Sequence, residues 1–150
     1  MNPMKIKFIS YWLLVSGILI SLTGLLHIAA TPMMYHQMHN DPPIQIPAIQ
    51  DRIHGFVYFF VVSGLFFLFA GLITAFAAIR FKRKENSAWI IIAGSGIFVA
   101  FSALGGIIYA KFGNPLIYLD VICSLSNLIL LLLSIKSFNW HPGTNEHSSR

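Results

Sequence analysis

Two ionisable residues, His27 and Asp120, lie inside apolar stretches of the sequence and are the first candidates for chemistry. Ionisable side chains are costly within a membrane, tend to pair there, and commonly mark functional sites. An imidazole and a carboxylate in contact could bind a ligand or an ion, or exchange a proton with a substrate. The same pair could also form a purely structural hydrogen bond between two helices.

The composition indicates a membrane protein. Of the 150 residues, 56% are hydrophobic and 10% are charged, whereas about a quarter of the residues of ordinary soluble domains are charged. The apolar residues form four blocks, each long enough for the roughly 20-residue helix that crosses a bilayer. We predict one domain with spans at about residues 8–30, 54–79, 87–109 and 116–135. The first block is longer than the apolar core of a signal peptide, which predicts a retained span.

The segments between the blocks are short. Residues 31–52 form the predicted first loop, in which Thr31-Pro32 is typical of an N-cap followed by the first helical residue. A short helix lying on the membrane surface is therefore predicted from Pro32 to His39. Residues 137–150 form a polar tail that is predicted to be disordered.

Basic residues orient the spans. Eight of the ten lysines and arginines fall on one side of the predicted membrane, and the two others are Arg52 and Lys111. Because basic residues are retained in the cytoplasm, both termini and the Arg80–Lys84 cluster are predicted to be cytoplasmic, with residues 31–52 outside. Lipid orientation also explains the pI of about 9.6, so no nucleic-acid partner is predicted.

Small and polar residues recur at helical spacing on one face of each span, which predicts the faces that pack together. These four stripes are Gly17, Ser21, Gly24, His27 and Thr31; His54, Tyr58, Gly64, Gly71 and Ala75; Gly96, Ala100, Ala103, Gly106 and Ala110; and Asp120, Ser124, Asn127 and Ser134. A weak echo relates Val15–Leu25 to Val62–Leu72. The pattern predicts an all-α, up-down-up-down four-helix transmembrane bundle.

The depths of the polar residues predict a pocket. His27 lies about 6 Å from the outer end of span one, and Asp120 lies about 7–8 Å from the outer end of span four, at 1.5 Å per residue. We therefore predict a ligand pocket at the outer face, formed by His27, Asp120, Tyr58, Ser124 and Tyr109. Ser124 and Asn127 could line a narrow polar path below it, or hydrogen-bond between spans.

Histidines and methionines near the outer loop raise the question of a metal. His36, His39, His54, Met33 and Met38 are the candidate ligands. Thioether and imidazole donors suit copper, whereas zinc sites usually add cysteine or carboxylate. Haem held between His27 and His54 is another possibility. The alternative is an interfacial helix with methionines in lipid and histidines in water.

Signals for catalysis are weak. No GxSxG motif and no Ser–His–Asp order stands out in the sequence, and Cys123 is predicted to be a small buried hydrophobe. At the segments GLLHIAATP and DRIHGFVYFFVVSG the chain resembles small bacterial four-span membrane proteins, which are mostly uncharacterised. The resemblance implies a bacterial inner membrane and no known reaction.

Three functions remain open at this point. The first is a non-enzymatic accessory, assembly or binding protein that contacts a larger membrane protein or a second copy of itself. The second is a copper- or haem-binding membrane protein. The third is a small transporter, or an enzyme acting on a lipid or quinone, in which His27 and Asp120 exchange a proton.

Overall fold

The computed structural model describes residues 3–40, 47–109 and 115–138. Within these ranges the chain forms α1 (Pro3–Asn40), α2 (Pro47–Phe81), α3 (Asn86–Tyr109), α4 (Pro115–Ser134) and a 3-10 turn (Ile135–Ser137). Each α-helix is long and apolar enough to cross a membrane. Every helix packs against its neighbour in the chain, and α1 also packs against α4. The predicted all-α four-helix transmembrane bundle is thereby confirmed.

The first helix is longer than its predicted span. Pro32 lies inside α1, so the predictions of a break at Thr31 and of a separate surface helix are wrong. The Thr31 hydroxyl donates to the His27 carbonyl at 2.9 Å instead of capping a new helix. Packing against α2 explains why the helix continues, because the Tyr35 and His54 rings of the two helices meet 5.8 Å apart beyond the proline.

The predicted first loop is correspondingly reduced. Both α1 and α2 extend into residues 31–52, which leaves residues 41–46 between them, outside the described ranges. The residues between α3 and α4 and most of the predicted polar tail also lie outside them. The location of residues 31–52 on the outer side of a membrane stays a prediction.

At one end of the bundle the helices extend to different heights. We call the end where α1 begins and α4 ends the basal end, and the opposite one the hairpin end. Ser16 and Asn127 are level, because their side chains are hydrogen-bonded at 2.8 Å. From this level α1 continues for about 36 Å to Asn40, whereas α4 continues for about 18 Å to Pro115. The α1–α2 hairpin therefore rises about 18 Å beyond α4.

Backbone contact between α1 and α2 dominates the packing. A Cβ atom added to Gly24 would lie 2.5 Å from the Gly64 carbonyl oxygen, and one added to Gly17 would lie 2.8 Å from the Gly71 carbonyl oxygen. Side chains cannot fit between chains this close, and small residues are what permits such contact between transmembrane helices. Gly17 and Gly24 thus lie opposite Gly71 and Gly64, which accounts for the sequence echo as one antiparallel contact.

Among the residues that the structure describes, the other predicted stripes also face inward, with two exceptions; Ala110 lies outside the described ranges. Along α4 all four predicted residues are buried, and on α3 Ala100 and Ala103 are buried. On α2, however, His54 and Tyr58 are exposed. They lie near the hairpin end, where α1 is the neighbour of α2 and their side of the helix has no further helix against it.

Gly24→Ala tests the backbone contact. The added methyl group has no space, so we expect the free energy of unfolding to fall by about 1–3 kcal/mol, as for other overpacked sites. The measurement is equilibrium unfolding in mixed micelles. Gly105→Ala is the matched control, because no atom lies within 4 Å of its added Cβ, and alanine favours a helix over glycine. Equal loss of stability in both variants would contradict the proposed contact.

Candidate functional site

Asp120 is the most unusual residue of the described chain. Its side chain is 1% exposed, and neither carboxylate oxygen has a hydrogen-bond partner among the described residues. The Thr23 hydroxyl of α1 is close enough to Asp120 to be a potential hydrogen-bond donor to it, but the bond that it makes in this geometry is to the Leu19 carbonyl at 3.3 Å. Buried polar groups in proteins are nearly always hydrogen-bonded, so Asp120 is an exception and the leading candidate for a functional residue.

His27 is well packed and lies one turn after Thr23 on α1. Its ring lies 4.6 Å from the Phe60 ring and 5.8 Å from the Phe67 ring, measured between centroids. With the proton on Nδ1, the imidazole donates to the Thr23 carbonyl at 3.0 Å. These contacts fix the ring on the α2 side of α1.

The structure brings His27 and Asp120 to the same residue without pairing them. Both adjoin Thr23, His27 through the Thr23 carbonyl and Asp120 through the Thr23 side chain. They form no ion pair, and the ion pair present in the described chain joins Arg80 and Glu85 at 3.9 Å. Thr23 is not among the predicted pocket residues. The available signal was its spacing, since it lies four residues before His27 and therefore on the same face of α1.

The other predicted pocket residues are placed differently. Ser124 is buried one turn from Asp120, and its hydroxyl donates to the Val121 carbonyl at 3.1 Å. Tyr58 is 67% exposed and lies against the Phe59 ring, so it does not line the buried layer around Asp120. The side chain of Tyr109 lies outside the described part of the structure.

The basal half of the bundle contrasts with this layer, because its polar side chains satisfy one another. Ser16 donates to Asn127 at 2.8 Å, and Trp12 donates to Ser126 at 3.0 Å, joining α1 to α4. Trp89 donates to the Leu131 carbonyl at 3.1 Å, joining α3 to α4. Of the two residues predicted to line a polar path below Asp120, Asn127 is therefore bonded to another helix, and Ser124 is bonded within its own helix.

The candidate metal ligands are spread along the hairpin end. His36 accepts a hydrogen bond from Asn40 at 2.8 Å, His54 lies against Tyr35, Met33 is exposed and Met38 is half-buried. The side chain of His39 is outside the described set. Among the described residues, no group of three or more histidine, cysteine, aspartate or glutamate side chains could hold a metal ion.

The geometry also leaves no space for a porphyrin between His27 and His54. A Cβ atom on Gly64 would lie 3.0 Å from the His27 Cβ, which shows that α1 and α2 touch at this level. His54 is level with Tyr35, eight residues further along α1, or about 12 Å. Haem bound by these two histidines would require the glycine contact to open.

Comparison with known proteins gives no relative. No protein-family model matches the chain, and neither a curated protein nor a solved structure is significantly similar to it. The resemblance to small bacterial four-span proteins therefore has support only at the level of four apolar helices.

Paired variants of His27 separate the stability due to ring packing from the stability due to its hydrogen bond with Thr23. His27→Phe keeps the contacts with Phe60 and Phe67 and loses the bond to Thr23, so its free energy of unfolding should fall by about 0.6 kcal/mol, as for other hydrogen bonds in membrane bundles. His27→Ala leaves a cavity and should cost about 2 kcal/mol or more. Unfolding in mixed micelles measures both. Equal losses would show that ring packing is not what His27 contributes.

Proposed function

We propose that this chain is a non-enzymatic membrane protein that binds a small cation at Asp120 and acts as an accessory to a larger membrane protein. One observation carries the binding site: a buried carboxylate whose two oxygens have no hydrogen-bond partner in the described chain. An isolated carboxylate in an apolar interior is strongly disfavoured. A cation beside Asp120 offsets that cost, and intramembrane carboxylates are commonly ion sites.

The surroundings of Asp120 suit a small cation better than an organic ligand. The side chain is 1% exposed and is enclosed by α1 and α4, with Thr23, Cys123 and Ser124 as neighbours. Hydroxyl and carboxylate oxygens are the ligands that hard cations prefer. A drug-sized molecule would have to displace helices that are already packed together.

The accessory role rests on how little of the described chain lies outside the helices, and the location rests on the basic residues. The α2–α3 connection has four residues, and we find no space there for a catalytic domain. We place the protein in a bacterial inner membrane, with the basal end in the cytoplasm because Arg80, Lys82, Arg83 and Lys84 lie there. The partners are the lipid bilayer and a larger membrane protein or a second copy, and nucleic acid is not among them.

The cation site is tested by melting the purified protein in mild detergent with sodium, potassium or calcium chloride, using choline chloride at equal ionic strength as the reference. A ligand that binds only the folded state stabilises it by about 2.7 kcal/mol at 100 times its Kd. We expect one of the cations to raise the Tm of the unmodified protein. Asp120→Asn removes the charge at nearly constant volume and should abolish that rise.

Glu85→Gln is the matched control for the loss of one carboxylate. Glu85 lies in the α2–α3 connection and pairs with Arg80, so this variant should keep the cation-specific rise in Tm. The proposed site is wrong if no cation raises the Tm of the unmodified protein. It is also wrong if Asp120→Asn retains the rise in full.

The accessory role has its own test. We expect the chain, when extracted from its native membrane in mild detergent, to elute with a second membrane protein at a fixed molar ratio, or as a defined oligomer. The measurement is the mass of the purified complex, with an unrelated four-span protein extracted in parallel as the control for nonspecific association. A lone monomer would count against the role without bearing on the Asp120 site.

A further inference from the structure

An apolar groove lies at the basal end, on the opposite half of the bundle from Asp120. Its walls are the first turns of α1 and the last turns of α4, and its volume is about 770 Å³, within the range of about 300–1,000 Å³ that is common for ligand pockets. The apolar residues that line it are Met4, Phe8, Ile9, Leu130 and Leu133. Met4, Phe8 and Leu133 are each more than 60% exposed, so the groove opens on the outer surface of the bundle.

The groove arises because α1 and α4 meet through only one side of each helix. Ile9 and Leu131 are buried in the basal core. Phe8 precedes Ile9 directly, Leu133 follows Leu131 by two residues, and both face outward. The outward side chains form two apolar walls with the buried residues at the base. An elongated apolar chain lying along the helices would fit between these walls.

The end of α4 places polar groups at the mouth of the groove. After Ser134 the chain tightens into a 3-10 turn, which is closed by the Phe138 N–H donating to the Ile135 carbonyl at 3.3 Å. Phe138 is buried, and its ring lies 4.9 Å from the Phe81 ring. This anchor holds Lys136 and Ser137 at the groove, where Lys5 of α1 also lines it.

The two lysines give the groove a definite charge. Lys5 and Lys136 are both exposed, and neither forms an ion pair within the described ranges, where the pair found is that of Arg80 and Glu85. The two positive charges lie at the mouth of the apolar groove, at the end of two transmembrane helices. They complement a molecule with an anionic head and a long apolar chain. Lysine clusters at this level attract anionic lipid headgroups.

We propose that this groove, formed by Met4, Lys5, Phe8, Ile9, Leu130, Leu133, Lys136 and Ser137, binds one anionic phospholipid of the adjoining leaflet. Its phosphate lies between Lys5 and Lys136, and one acyl chain lies between α1 and α4. A zwitterionic lipid such as phosphatidylcholine would bring its own cation next to the two lysines, which weakens the attraction to its phosphate. A second copy of the chain would bring the same lysines, and therefore like charges, towards each other across a symmetric contact. The site is independent of Asp120.

The test is native mass spectrometry of the full chain released from detergent after incubation with phosphatidylglycerol and phosphatidylcholine of identical acyl chains. We expect one bound phosphatidylglycerol per chain and a clear preference for it over phosphatidylcholine. Each lysine near an anionic headgroup contributes roughly fivefold. Lys5→Gln combined with Lys136→Gln should therefore weaken phosphatidylglycerol binding on the order of 25-fold.

Two further variants separate a lipid site from general surface charge. Arg83→Gln combined with Lys84→Gln removes the same charge from the basal end, outside the groove, and should leave binding unchanged. Leu133→Trp narrows the groove without changing the charge and should reduce binding of both lipids. Equal losses in the two charge variants, or equal affinity of the unmodified chain for the two lipids, would overturn the proposal.

Other occupants would also be visible in the same spectra. Displacement of phosphatidylglycerol by glycerol 1-phosphate at equal concentration would show an anion site without a role for the acyl chain. A lipid-free dimer that is lost in Leu133→Trp would show that a second copy fills the groove. Either result would refute the lipid site.

Discussion

The contact between the backbones of α1 and α2 is the constraint on which the other features depend. Gly17 and Gly24 lie against Gly71 and Gly64 with no side chain between them, so the two helices are packed together directly through their backbones. This contact fixes the rotation of α1 about its axis. His27 is thereby directed towards the phenylalanines of α2, and Thr23 and Ser16 are left to face α4. The polar layer around Asp120 is a consequence of that rotation.

Across the bundle, polar side chains serve two different purposes. In the basal half several of them join two helices, as Ser16 and Asn127 do and as Ser10 does through the Ala78 carbonyl. Such bonds fix which residues are level with one another, although each one adds little to stability in a membrane. Asp120 departs from this arrangement, because its buried carboxylate has no partner in bonding geometry among the residues that the structure describes. The proposed cation site rests on this departure.

Much of the fold could be predicted from the sequence, because span length and small-residue spacing are local properties. The described residues of the four stripes face inward except at His54 and Tyr58. The positions of these two depend on where α3 ends, which no local pattern encodes. The continuation of α1 through Pro32 was missed for a related reason, since Thr-Pro favours a helix start and only the neighbouring α2 overrides it. At the site, Asp120 adjoins Thr23, and His27 lies one turn further along α1. The rotation that separates His27 from Asp120 is set by the glycine contact, and depth alone cannot give it.

The unequal helix lengths give the molecule a stepped profile. On one flank α4 begins about 18 Å short of the hairpin end of α1, so α1 and α2 extend beyond α4. The glycine contacts hold α1 and α2 against each other, so the part of the hairpin beyond α4 consists of two packed helices. Over this length the side of α1 that faces α4 lower down is not covered by α4. The bundle is therefore asymmetric about its axis, with one flank shorter than the other.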